Sequence, residues 1–137
     1  MVGFQEQELQ EWIRYFENKN TSFCTWAGGT QSEEGVITMP YPVYDAGVQR
    51  FIAAVSGSGL MMKDYLQQLE KGDALAPEAI SGLEMPRDME LLRAALTYFV
   101  RQERFCDGLW EKAIREGIFL SILYKLREAE RVSRPEA

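Results

Sequence analysis

The sequence predicts a mainly α protein: a single compact helical domain of about five to six helices, with a small two-stranded antiparallel ribbon near residues 23–39. Three observations carry this reading. Apolar residues recur at the three-and-four spacing of one helical face along most of the chain. Glycine and proline fall between those stretches rather than inside them. The 137 residues, 46% hydrophobic and 26% charged, suit one globular domain with its own core. Residues 1–131 are expected to form that domain, and residues 132–137 a flexible C-terminal tail.

In chain order, Leu9, Trp12, Ile13 and Phe16 mark the buried face of a first amphipathic helix, with Glu6 and Glu8 at its positive end. The polar run Asn18 to Thr21 ends it. Phe23 to Trp26 and Val36 to Met39, rich in aromatic and β-branched residues, read as the two strands of the ribbon, joined by a loop through Gly28-Gly29. Met39 to Asp45 reads as an extended connector, because Pro40 and Pro42 exclude helix around Tyr41.

Asp45 is placed to cap a second helix with Val48, Phe51, Ile52 and Val55 inward, which stops at Ser56 to Gly59. A short helix follows with Leu60 or Met61, Tyr65, Leu66 and Leu69 inward, closing at Lys71-Gly72. Pro77 opens and Gly82 closes a single turn. Met89, Leu92, Leu96 and Phe99, widened by Leu91, Ala95 and Tyr98, make the longest apolar face, that of a central helix. A helix-to-helix corner spans 98–117, and Phe119, Ile122, Leu123, Leu126 and Ala129 define the last helix.

Composition narrows the chemistry. The chain contains no histidine, which removes Ser/His/Asp and Cys/His arrangements together with the commonest metal ligand. No metal and no cofactor are expected. The two cysteines, Cys24 and Cys106, are far apart in sequence and read as small buried side chains in a reducing compartment. A net charge of -6 argues against nucleic acid or anionic lipid as a partner. Mimicry of nucleic acid by that acidity is a weaker idea, since the charge is modest and mixed. The apolar runs are too short to span a membrane, and the N-terminus carries glutamates where a signal peptide needs basic residues, so a cytoplasmic location is expected.

Charge crowds most densely at Arg101, Glu103, Arg104 and Asp107. Arginines three apart on a helix share a face and can grip one carboxylate or phosphate. The competing reading is an internal ion-pair corner, in which the arginines meet neighbouring acids and open carbonyls, and Asp107 caps the helix that starts after Gly108. Such a corner is mutation-sensitive whether or not anything binds there, and the structural reading is the favoured one. Trp26, Tyr41 and Tyr44 form a second candidate, an aromatic surface of the kind that anchors interfaces.

The run Arg101-Gln102-Glu103-Arg104-Phe105-Cys106-Asp107-Gly108, followed by Ala113-Ile114, Gly117 and Leu120 to Leu123, resembles the C-terminal signature of a small bacterial family known as domain of unknown function 6508. Trp26 with its Gly-Gly, Pro40-Tyr41 and Tyr44 are similar to the weaker N-terminal part of that pattern, and Gln102 stands where a small residue is expected. The resemblance implies a compact helical intracellular domain, and one constellation of Arg101, Glu103, Arg104 and Asp107. It implies no activity.

No motif in the chain names a reaction. The expectation is a non-catalytic intracellular binding or regulatory module acting through protein–protein contacts, with another protein or with itself. The alternative is an enzyme or sensor for a small anionic ligand, held by Arg101 and Arg104, with Glu103 or Asp107 as acid or base and Tyr41, Tyr44 and Tyr98 lining the pocket.

Overall fold

A computed structural model of the chain describes residues 3–29, 33–37, 39–72 and 75–133. Among these residues run seven α-helices and one two-stranded antiparallel sheet: α1 (Glu6–Glu17), β1 (Cys24–Ala27), β2 (Tyr41–Tyr44), α2 (Ala46–Ser56), α3 (Tyr65–Lys71), α4 (Pro77–Ser81), α5 (Met89–Arg101), α6 (Leu109–Arg115) and α7 (Ile118–Ser133). A 3₁₀ turn, Gln102–Phe105, joins α5 to the loop before α6. The mainly helical class with a small ribbon is therefore correct. No described helix is long and apolar enough to cross a membrane.

Each long helix buries the stripe its spacing foretells. Leu9, Ile13 and Phe16 of α1, Val48, Phe51 and Val55 of α2, Leu92, Leu96 and Phe99 of α5, and Ile122, Leu123 and Leu126 of α7 are all buried. They meet in an aromatic knot. The Phe51 ring lies edge-on to Phe16 and Phe119, with centroids 4.9 and 5.2 Å away, and Phe99 reaches the same Phe119. α1 lies along α7, α3 along α5, and α4 and α6 against α7.

Polar groups fix the connections. Asp45 caps α2 by accepting the Gly47 amide at 3.1 Å, and the Tyr15 hydroxyl of α1 donates to the same carboxylate. Gly47 is required by packing: a Cβ there would lie 2.4 Å from the Tyr15 ring. The Arg93 guanidinium of α5 donates to the carbonyls of Gly59 and Leu60, and buried Thr97 accepts the Met62 amide, so α5 holds the turn after α2.

Several expectations need correction. The second strand is Tyr41–Tyr44, not Val36 to Met39; Val36, Ile37 and Met39 are exposed outside both strands, and Thr38 lies outside the described residues. β2 pairs with β1 in the register Cys24↔Tyr44, Thr25↔Val43, Trp26↔Pro42 and Ala27↔Tyr41. Proline is tolerated because the Asp45 amide bonds the Phe23 carbonyl, which by alternation makes Trp26↔Pro42 a pair that exchanges no ladder bonds.

Leu66 is exposed, because α3 begins only at Tyr65 and is too short to bury both flanks. Cys106 is exposed and Cys24 half-buried, both as free thiols, rather than two buried side chains. α7 ends at Ser133, with Arg131 ion-paired to Glu6 of α1. Residues 134–137 of the expected tail lie outside the described residues.

Candidate functional site

The corner between α5 and α6 is built on Glu103, not on Asp107. Gly108, the residue before α6, has φ +92° and no side chain with which to cap. The helix must therefore find its acceptors elsewhere. The 3₁₀ turn brings Glu103 underneath: one carboxylate oxygen accepts the Gly108 amide at 2.8 Å, and the other accepts the Trp110 amide at 2.7 Å and the Tyr44 hydroxyl at 2.9 Å. The Glu111 amide donates to the Tyr44 oxygen at 3.2 Å, and the Leu109 amide to the Cys106 carbonyl. Every amide of the first turn is thus occupied. Asp107 is exposed and caps nothing, a correction that follows from the left-handed glycine standing between it and the helix.

Glu103 also ties the ribbon to the helices. The Tyr44 ring leans on Trp110 with centroids 5.0 Å apart, and the Trp110 indole N–H donates to the Val100 carbonyl. Trp26, on the same ribbon face as Tyr44, lies across Gly108, where a Cβ would stand 2.9 Å from the indole. Burial, reinforced by the Glu103 carboxylate, pushes the Tyr44 phenol above its ordinary range. Burial together with the charges of Glu111 and Glu103 raises the Cys24 thiol above its ordinary value.

The aromatic trio does not form one surface. Strand alternation puts Trp26 and Tyr44 on the face toward the corner and Tyr41 on the other. Tyr44 is half-buried as a structural hub, whereas Trp26 remains 51% exposed beside it. Phe105, beside the same turn, is 71% exposed.

Arg101 and Arg104 are both exposed, and among the described residues neither guanidinium group forms an ion pair or a hydrogen bond. Arg104 stacks on the Phe105 ring with its guanidinium carbon 4.6 Å from the centroid, which leaves the in-plane N–H donors free. The internal ion-pair reading of this corner therefore does not describe these two side chains. Glu111, the acid on the neighbouring helix, is taken by Arg115 at 2.9 Å.

The two arginines border an open groove of about 490 Å³ together with Ile52, Val100, Glu103 and Trp110. A second depression of about 490 Å³ shares Ile52 and Trp110 and continues past Pro42, Val43, Tyr44 and Ala53. Ile52 and Trp110 thus stand between two adjoining depressions, together the channel, with cationic lining at the corner and apolar lining between β2 and α2. Sequence reasoning missed this apolar end, since Ile52 looked like core and Pro42 like a connector; the signal that could have found it is that the apolar stripe of α2 is wider than one neighbour can cover.

A larger depression of about 630 Å³, along Leu75 to Glu78, Lys112 and Glu116, gathers none of the candidate residues. Among the described residues, no group of three or more Cys, Asp or Glu side chains is placed to hold a metal ion.

Neither the curated proteins nor the solved structures provide a match to the chain. A family model does, over residues 1–132, which takes in the ribbon, the corner and all seven helices down to the last residues of α7. The chain belongs to the family of unknown function DUF6508.

Proposed function

We propose that the chain is an intracellular, non-catalytic binding module that receives an extended segment of a partner protein in the channel between β2, α2 and the α5–α6 corner. The observation that carries this is the pair Arg101 and Arg104, unpaired among the described residues, on the wall of a groove whose other half is apolar. An arginine pair that holds no internal acid has its donors available to an outside acceptor. Trp110 and Ile52 supply the apolar anchoring that peptide grooves use.

Use of the same arginines by an enzyme is less favoured. A general acid or base needs a carboxylate free to exchange protons at the ligand. Glu103 already accepts three hydrogen bonds, and Asp107 does not border the groove. The test is site-specific photo-cross-linking in the cells that make the protein. A benzophenone amino acid at Ala53, in the channel, is expected to capture a discrete protein partner, and the same group at Tyr124 on α7 is not. Equal capture from both faces, or capture from α7 alone, would remove the proposal.

A further inference from the structure

The cationic end of the channel carries a specific charge count. Arg101 and Arg104 contribute two positive charges and Glu103 one negative charge at the same rim. The α6 amides, the other donors an anion could use, are already closed by Glu103, Tyr44 and Cys106. An incoming anion thus meets guanidinium groups alone, beside a fixed carboxylate, in a chain of net charge -6.

These facts favour an anionic side chain. Two guanidinium groups against one carboxylate leave a positive local balance, which an acidic side chain can meet with charge-assisted hydrogen bonds. Resting on the peptide-groove reading above, we infer that the channel selects a segment in which an Asp or Glu side chain stands next to an apolar anchor. The apolar anchor lies over Ile52 and Trp110, and the carboxylate reaches Arg101 and Arg104.

The experiment is selection of a randomised octapeptide library on the purified chain, followed by synthesis of the strongest binder with Glu or Gln at its acidic position. Affinities are read by fluorescence anisotropy. Gln is expected to weaken binding about tenfold, the loss of a half-exposed charge-assisted contact. The double variant Arg101→Ala/Arg104→Ala should erase the Glu-to-Gln difference, and Ala53→Trp, which fills the apolar end from an exposed position, should weaken both peptides.

Selected peptides that lack an acid, or an unchanged affinity with Gln, would overturn the inference and leave the groove reading standing. No selected peptide, or peptides indifferent to both the arginine and Ala53→Trp changes, would overturn both.

Discussion

Replacing Glu103 by alanine removes the acceptor for three donors at once: the amides of Gly108 and Trp110 and the hydroxyl of Tyr44. A hydrogen bond to a charged group contributes about 1.5–3 kcal/mol, and loss of a helix cap alone costs about 0.5–2 kcal/mol. The three bonds share one carboxylate, and water can reach the half-buried corner, so their sum overstates the loss. We expect about 2–4 kcal/mol of destabilisation, which at about 4 °C per kcal/mol lowers Tm by about 8–16 °C. Glu103→Gln should fall between, because one oxygen still accepts while its amide nitrogen faces a backbone donor.

The assay is guanidinium denaturation followed by tryptophan fluorescence, with Asp107→Ala as the control that leaves the midpoint in place. A double-mutant cycle with Tyr44→Phe should show coupling of about 1 kcal/mol or more. If Glu103→Ala and Asp107→Ala lower stability equally, or if the cycle shows no coupling, the assignment of Glu103 as the cap and ribbon anchor is wrong.

Gly108→Ala combines a left-handed backbone with a Cβ driven into Trp26. It should cost about 2 kcal/mol or more, and Trp26→Leu in that background should recover part of the loss in Tm. The Asp45 carboxyl is held below the ordinary carboxylate range, first by the Tyr15 hydroxyl and then by the Gly47 amide. Tyr15→Phe should move it upward in an NMR titration, and an unmoved value would exclude that hydrogen bond as the cause. Because the folded Tyr44 phenol holds its proton more tightly than an unfolded one, its contribution to stability is complete at neutral pH. That contribution is lost as pH rises above about 10, where the unfolded chain ionises first. Tyr44→Phe should therefore show a shallower alkaline fall in denaturation midpoint, and an unchanged slope would contradict the burial of that hydroxyl.

The helices were legible because a buried stripe repeats at helical spacing whatever the tertiary context: Val48, Phe51 and Val55, or Ile122, Leu123 and Leu126, announce their faces unaided. Strand choice was not legible. Pro42 looks incompatible with a ladder until the register shows that its position needs no N–H, and register is a property of the pair rather than of either strand. The corner was half legible. Its charged residues stood out, but local reasoning gave the cap to Asp107, the nearest acid, because a left-handed glycine N-cap served from five residues upstream follows no short-range rule.

Tyr44 and Trp26 could not be joined to Glu103 and Gly108 from the sequence either, since the residues between them fold back only through the ribbon's docking. What remains unoccupied after that docking is informative. Glu103 and Gly108 hold the corner together, while Arg101 and Arg104 stand in the same short run without an internal ionic partner among the described residues.

That division between scaffold and surface is tested most directly by the double variant Arg101→Ala/Arg104→Ala, carried through both denaturation and photo-cross-linking from Ala53. We predict a denaturation midpoint equal to that of the parent chain together with loss of partner capture. Capture at the parental level, or a midpoint that falls as far as it does for Glu103→Ala, would contradict the account.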